Sequence, residues 1–454
     1  MASVTSATAK PIVLICSTPV SGHIIPMIAI AKQLVQNDYD VCFVSGSGYR
    51  QQVEAFGASF VSVRGYGDFY DLTSWDLDQE WPEGSRRLEG PECFIHDLVH
   101  LFCKSLPSQH EAIQEALGML KDKHPGRPVI LMTETLNFGG LPTLLGAPGI
   151  RPQGTIMIGI NPVLLTSVDH PPFGSGMLPD SSPEGRRRNK AANETQRKVF
   201  APAQAAYAEA LMSVGARRPN EFLLDALYSL PDRFVQMCTS SVEYSRSDAP
   251  DTIRFAGGYP VTRSLKEPVR PSWWNRVVLH KTKKIVFVCQ GTASMDFDQL
   301  VVPTMTAFKD RTDITIIIAL GRRDATLADV DVDVPENCVV EEYIPYDDIL
   351  PYCDVFVTTA GYGSFQRALI HGCPLVMAGT TEEKPETAAR GEWAGVGLNL
   401  RTSYPSVQQI GEAVDDVLHD QKYKVKALKI KAEMATQSPM GVVMDTIQEL
   451  VVAA

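Results

Sequence analysis

The sequence predicts an α/β fold of two doubly wound halves, and three observations carry the prediction. From residue 11 to residue 63, short apolar runs of strand length alternate with segments of helical periodicity. That is the pattern of parallel strands buried on both faces and crossed by helices. The alternation restarts at Lys284-Ile285-Val286-Phe287-Val288-Cys289. Between the two, Arg263 to Pro271 lacks apolar periodicity and sets Pro268 and Pro271 among charges, which marks a linker. No residue-level repeat relates the halves, so their likeness is one of pattern.

In the first half, Ile12 to Cys16 is a wholly apolar strand. A loop from Ser17 to Ile25 with Pro19 and Gly22 follows, then a helical pattern over Ile24 to Gln36. Tyr39 to Ser45 and Ser59 to Val63 read as the next strands. Residues 66 to 91, rich in Gly, Asp, Trp and Tyr, predict a long surface loop. Glu92 to Leu117 is helical, and Val129 to Met132 and Thr155 to Ile160 are strands. Asp169 to Gly185 is dense in Pro, Gly and Ser, with Arg186-Arg187-Arg188 at its rim. It is either a plain connection or an adaptable lid.

In the second half, Ile314 to Leu320, Val339 to Glu342, Val355 to Thr358 and Pro374 to Met377 supply strands after the one at Lys284. Phe365 to His371 is an amphipathic helix closed by Gly372 and Pro374. The chain ends in helices over Ser406 to His419, Tyr423 to Ala435 and Gly441 to Val452. The expected division is residues 1–262, a linker at 263–282 with Trp273-Trp274 as a docking patch, and a second domain at 283–435.

Composition narrows the function. The 454 residues allow two or three domains with a large core, and 44% hydrophobic against 21% charged residues is a globular balance. A net charge of −11 with a pI near 5.4 argues against nucleic acid or an anionic membrane as the main partner. No apolar stretch is long enough for a membrane span, and Met1 to Lys10 shows no signal segment. Nine scattered cysteines without a Cys-x-x-Cys pair suit reduced thiols and a cytoplasmic setting.

The chemistry concentrates from Tyr343 to Arg390. The apolar run Val355 to Thr358 meets the turn Thr359-Ala360-Gly361-Tyr362-Gly363-Ser364, which opens the next helix. Such a turn offers unpaired N–H groups and the positive end of a helix dipole to a phosphate. Aromatic-x-Pro at Tyr343, Asp354-Val355-Phe356-Val357-Thr358, Gly361-x-Gly363-Ser364, His371-Gly372-x-Pro374-Leu375-Val376 and an acidic-polar pair before Pro385 follow in order. Together they resemble the donor-binding signature of the family 1 glycosyltransferases, and within that family the fungal and bacterial branch that glycosylates phenols and polyketides.

The resemblance implies a GT-B fold, two Rossmann-like domains facing a cleft. It also implies that the closing helix, within 436–454, crosses back to the first half, and that a nucleotide-linked sugar, usually a UDP-hexose such as UDP-glucose, is the co-substrate. Gly22-His23-x-x-Pro26 takes the place of the family's catalytic base. Glu134, at the end of the strand from Val129, takes that of the carboxylate that orients it; without the resemblance, His23 is a helix-capping or partly buried histidine and Glu134 a solvated acid. Gly291 and Thr292 stand at the family's Gly-Ser turn. Tyr343 would stack on the uracil, and the Ile344 backbone would meet its edge. Thr359, Gly361, Gly363 and Ser364 would hold the diphosphate, and Glu383 with Lys384 the sugar.

The sequence departs from the family pattern where Thr359 replaces a histidine, Arg367 replaces the glutamate that holds the ribose, Glu383-Lys384 replaces Asp-Gln, and Glu134 stands where Asp is more frequent. The reaction implied is inverting hexosyl transfer to a hydroxyl of a small aromatic or polyketide acceptor, with no metal and no further cofactor. A catalytically silent binding protein and a sugar-nucleotide epimerase on the same fold are the alternatives. Cys93, His96 and His100 share a helix, but Ile95, Leu98 and Val99 interleave and no second ligand pair follows, which favours a half-buried face over zinc. Gly361-x-Gly363 lacks the third glycine of a dinucleotide turn.

Overall fold

The computed structural model describes residues 10–69, 90–260, 270–291, 296–328, 330 and 332–452. The expectation for Thr292, most of the loop 66–91 and the start of the linker lie outside the described residues.

Strands β1 (Ile12–Cys16), β2 (Val41–Ser45), β3 (Ser59–Ser62), β4 (Val129–Glu134), β5 (Gly154–Gly159), β6 (Arg233–Gln236) and β7 (Ile253–Phe255) form one sheet, ordered β3-β2-β1-β4-β5-β6-β7. Strands β8 (Lys284–Cys289), β9 (Ile314–Ala319), β10 (Cys338–Glu341), β11 (Val355–Thr358), β12 (Leu375–Met377) and β13 (Gly397–Asn399) form a second, ordered β10-β9-β8-β11-β12-β13. Adjacent strands are parallel in both, as β1 beside β4 and β8 beside β11 show. Every residue of β1 and β11 is buried, as all-parallel sheets covered by helices on both faces require.

Each order reverses once, between β1 and β4 and between β8 and β11. At such a switch point neighbouring connections leave in opposite directions and open a crevice at the carboxyl ends of the strands. His23 and Glu134 flank the first crevice. Gly291 and the turn from Thr359 flank the second.

Two helices begin earlier than their periodicity suggests. Helix α1 (Ser21–Gln36) and helix α4 (Tyr362–His371) take Gly22-His23 and Gly363-Ser364 into their first turns. Glycine costs least there, because first-turn N–H groups have no intrahelical partner to lose. At its other end α4 stops on Gly372, whose φ of 65° is left-handed. The predicted helix from Glu92 is continuous but varied: an α segment (Gly90–Asp97), a π-helical stretch (Leu98–Cys103), then α2 (Lys104–Lys123). Helix α3 (Pro183–Val199) absorbs the three arginines placed at the rim of the loop before it. Strands β6, β7 and β13, together with the helix Ala201–Ser213, add to the predicted set.

An apolar seam joins the halves. Tyr259, Trp274 and Tyr362 are buried in one cluster with β1 and β8 residues. Trp274 of the predicted linker packs its ring edge-on against Tyr352 at 6.2 Å, and Trp273 Nε1 donates to Glu341 at 2.6 Å. The last helix, which follows α5 (Lys384–Trp393) and is labelled α6 (Pro439–Val452), lies on the first sheet. Leu450 occupies the space a Cβ at Gly154 would need, and Arg233 Nε donates to Glu449 at 3.1 Å. Among the described residues no helix is long and apolar enough to cross a membrane. All nine cysteines are free thiols.

Candidate active site

The site begins where β1 runs out. Ser17 to Val20 carries the chain over the sheet edge, and the N–H groups of His23 and Ile24 both turn back to the Val20 carbonyl at 2.8 and 2.9 Å. His23 thus leaves the first turn of α1 over the end of β4, whose last residue is Glu134. Its Nδ1 lies 2.9 Å from Glu134 Oε2, and the Thr18 N–H donates to Glu134 Oε1 at 3.1 Å. The glutamate side chain is fully buried and the histidine side chain 12% exposed. An ionised carboxylate only accepts, so Nδ1 carries the proton and Nε2 presents a lone pair. Burial works against an imidazolium here. The Glu134 charge and hydrogen bond outweigh it, with a smaller push from Glu383, and His23 titrates above its ordinary value. The Phe102 ring lies 5.6 Å from the imidazole and belongs to an apolar cluster with Phe69, Phe94, Phe138 and Phe173.

Across the crevice, Gly291 follows β8 after Gln290, and Gly361 and Gly363 stand at the start of α4. Among the described residues a Cβ at Gly22, Gly291 or Gly363 would meet nothing within 4 Å, and one at Gly361 only Ser364 Oγ at 3.9 Å. Four glycines therefore face open space from the two halves. The first intrahelical bond of α4 runs from Phe365 N–H to Gly361 at 3.1 Å, so the Gly363 and Ser364 N–H groups precede the ladder. Ser364 Oγ donates to the Gly361 carbonyl at 2.7 Å.

Three of the expected ligands, Thr359, Lys384 and Glu383, are engaged within the fold. Thr359 Oγ1 donates to the Gln290 carbonyl at 2.9 Å, which ties the two donor-side turns together and leaves that hydroxyl only its acceptor capacity. Lys384 Nζ donates to Thr381 Oγ1 at 2.9 Å and pairs with Glu382. Glu383 faces the other way and accepts from the Tyr362 N–H at 3.2 Å, at the positive end of α4. The pair expected to act jointly on a sugar is split in this state.

Tyr343 is 53% exposed and its neighbour Ile344 is buried. Arg367 Nη1 donates to Asp347 Oδ2 at 3.1 Å, and His371 Nε2 meets Asp347 Oδ1 at 2.9 Å. Burial would raise the Asp347 carboxyl. The His371 bond and the Arg367 charge overcome it and hold Asp347 below the usual carboxylate range. Sequence reasoning passed over Asp347, although Arg367 and His371 at i,i+4 present a guanidinium and an imidazole on one face of α4, where an acid can meet both.

Backbone strain gathers at the site. Six described non-glycine residues have positive φ, and three of them, Leu136, Ala360 and Glu382, lie within two residues of Glu134, Thr359 or Glu383. Each such conformation costs about 1–3 kcal/mol and persists only where surroundings enforce it. Among the described residues no group of three or more His, Cys, Asp or Glu side chains forms a metal site.

Two parallel-sheet domains with facing crevices, one holding a His–Glu pair and the other a glycine-lined helix N-terminus, define the class of protein: a GT-B glycosyltransferase. Its lineage is equally plain. Residues 304–450 match the family described as erythromycin biosynthesis protein CIII-like, C-terminal domain. The chain is 37% identical over 451 residues to UDP-glycosyltransferase 2 of Phaeomoniella chlamydospora, covering 99% of this chain and 97% of that one. It is 37% identical over 442 residues to UDP-glucosyltransferase A1 of Starmerella bombicola, covering 97% and 92%. The solved structure of the calicheamicin glycosyltransferase CalG4 superposes with a TM-score of 0.69 at 15% identity, over 97% of this chain and 98% of that one; at that identity the likeness concerns the fold. The protein belongs to the family 1 UDP-glycosyltransferases and is a UDP-dependent glycosyltransferase.

Proposed function

We propose that the enzyme transfers glucose from UDP-glucose, with inversion, to the hydroxyl of a small aromatic or polyketide acceptor, and that His23 is the base. The observation that carries this reading is the His23–Glu134 contact of 2.9 Å at the crevice of the first sheet. Nε2 takes the acceptor proton as the acceptor oxygen attacks the anomeric carbon. The bond from that carbon to the diphosphate oxygen breaks, and UDP departs with the electron pair. Glu134 holds the tautomer and stabilises the imidazolium that forms. The Phe102 ring and the phenylalanine cluster behind it suit an aromatic acceptor.

The departing diphosphate is assigned to the N–H groups of Gly363 and Ser364 and to the turn at Gly291, where a helix terminus offers fixed dipoles without a metal. Thr292, next in the sequence, is proposed to add its hydroxyl. Thr359 helps by fixing both turns rather than by donating to the ligand. Tyr343 offers its exposed ring to the base beside the Ile344 backbone. Asp347, oriented by Arg367 and His371, is the carboxylate we assign to the ribose hydroxyls. Glu383 takes the sugar hydroxyls, with Lys384 holding the loop through Glu382. UDP-glucose is favoured over other donors by the name of the Starmerella relative. The free thiols suit a cytoplasmic site.

The test is an assay with UDP-glucose and a panel of phenols, reading the anomeric configuration by proton NMR. A β-glucoside from the α-linked donor is expected. An α-glucoside would contradict a single displacement. A changed hexose formed without any acceptor would establish the epimerase, and absence of both transfer and UDP binding the silent binding protein.

A further inference from the structure

Outside the site lies a buried ion network that joins the halves. Glu386, in the first turn of α5, is 5% exposed. Its Oε1 accepts from the N–H groups of Gly174 and Gly176, each at 2.9 Å, and its Oε2 accepts from Arg390 Nη1 at 2.9 Å. Arg390, 1% exposed, turns its remaining nitrogens to Glu243 of the first half, Nε to Oε2 at 2.9 Å and Nη2 to Oε1 at 2.7 Å. Glu243 also accepts from Arg246 Nη1 at 3.1 Å and from the Val163 and Tyr244 N–H groups at 3.1 and 2.9 Å. Two carboxylates and two guanidiniums balance in charge.

An ion network of this kind is a weak source of stability, since its desolvation offsets most of its attraction. It is strong in direction. Two N–H groups from the loop before α3 converge on one carboxylate oxygen of the opposite half, and a Cβ at Gly176 would lie 3.2 Å from Pro385. The loop also sends Phe173 into the apolar wall: its ring lies 5.6 Å from Phe94, and both belong to the cluster that includes Phe102, whose ring lies 5.6 Å from that of His23. Glu386 thereby links the helix that starts at Lys384 to the wall beside His23.

We propose that Glu386 is a positioning residue for the acceptor, latching the loop 169–180 of the first half onto α5 so that acceptor wall and sugar-side helix close as one unit. This rests on the reading that the acceptor enters beside His23. Two full-length variants test it, Glu386→Ala and Glu386→Gln, the second keeping an oxygen for the glycine amides should the first fail to fold. In Glu386→Ala, hydrogen exchange at the Gly174 and Gly176 amides should accelerate by about tenfold or more, as loss of a buried charged acceptor implies. Acceptor KM should rise by a similar factor while UDP affinity, measured by calorimetry, holds within about twofold. Glu386→Gln should fall between the two. Unchanged exchange at those amides would overturn the latch, and so would a UDP affinity that falls in parallel with the acceptor KM. Exchange needs no substrate, so its failure sinks the latch, whereas failure of the wild type to turn over phenols sinks the acceptor reading alone.

Discussion

Glu383 accepts from the Tyr362 N–H where the proposed scheme puts the donor diphosphate. A carboxylate is a fair mimic of a phosphate oxygen at a helix N-terminus, since both are stabilised by the same dipole and amide. In that scheme donor binding displaces Glu383 before it serves the sugar. Removing its charge should leave UDP binding equal or tighter while UDP-glucose loses its added affinity over UDP. Calorimetric titration of Glu383→Gln with both ligands measures this. Parallel weakening of the two would show that Glu383 serves the nucleotide instead. Near His23 the same carboxylate adds to the push from Glu134, so one residue affects both partners of the reaction.

At the scale of elements, the long apolar runs were legible because burial on both faces leaves no polar position: β1 and β11 fall where the sequence places them. Strands β6, β7 and β13 were not. They are as short as β11 and β12, but Arg233, Gln236, Arg254, Gly397 and Asn399 break them up, so no apolar run stands out, and Gly397 opens β13 against strand propensity. Helix starts were read late at Ser21 and Tyr362 because glycine signals a turn until its place among unpaired first-turn amides is known. The His–Glu pair was legible only through the family resemblance at two strand ends, and Glu243, which meets Arg390 across 147 residues, had no such guide. Burial would raise the Glu243 carboxyl; the Arg390 and Arg246 charges reverse this and hold it at about 2. Its folded value is depressed, so the stability it contributes is complete above about 4.5 and is lost as pH falls toward about 2. Arg390→Met should cost about 3–5 kcal/mol at neutral pH by stranding a buried charge. That difference should narrow below about 4.5, the ordinary glutamate value. Denaturant unfolding of both proteins across acid pH measures it, and a constant difference throughout would exclude the mechanism.

Taken whole, the molecule is two sheets whose switch points face each other, held by an apolar seam, a returning helix and one buried ion network. In the proposed scheme labour divides accordingly, with base and acceptor wall on the first sheet and the dipoles that receive the leaving group on the second. Neither half is complete, so mutations in the seam should act on turnover more than on nucleotide binding. Tyr362 is the sharpest case, since its N–H belongs to the donor-side helix and its hydroxyl accepts from Gln236 Nε2 of the first sheet at 3.0 Å.

The central claim, that the His23–Glu134 pair is the base, is tested most directly by the pH dependence of kcat/KM in the wild type and in Glu134→Gln, with His23→Ala as the blank. The base must be neutral, so activity should rise with pH through a value above that of ordinary histidine. Removing the Glu134 charge should move that limb to lower pH while reducing the plateau. His23→Ala should lose about 10²–10⁴ in rate and keep its UDP affinity. A limb that stays in place in Glu134→Gln, or transfer that survives in His23→Ala, would contradict the assignment.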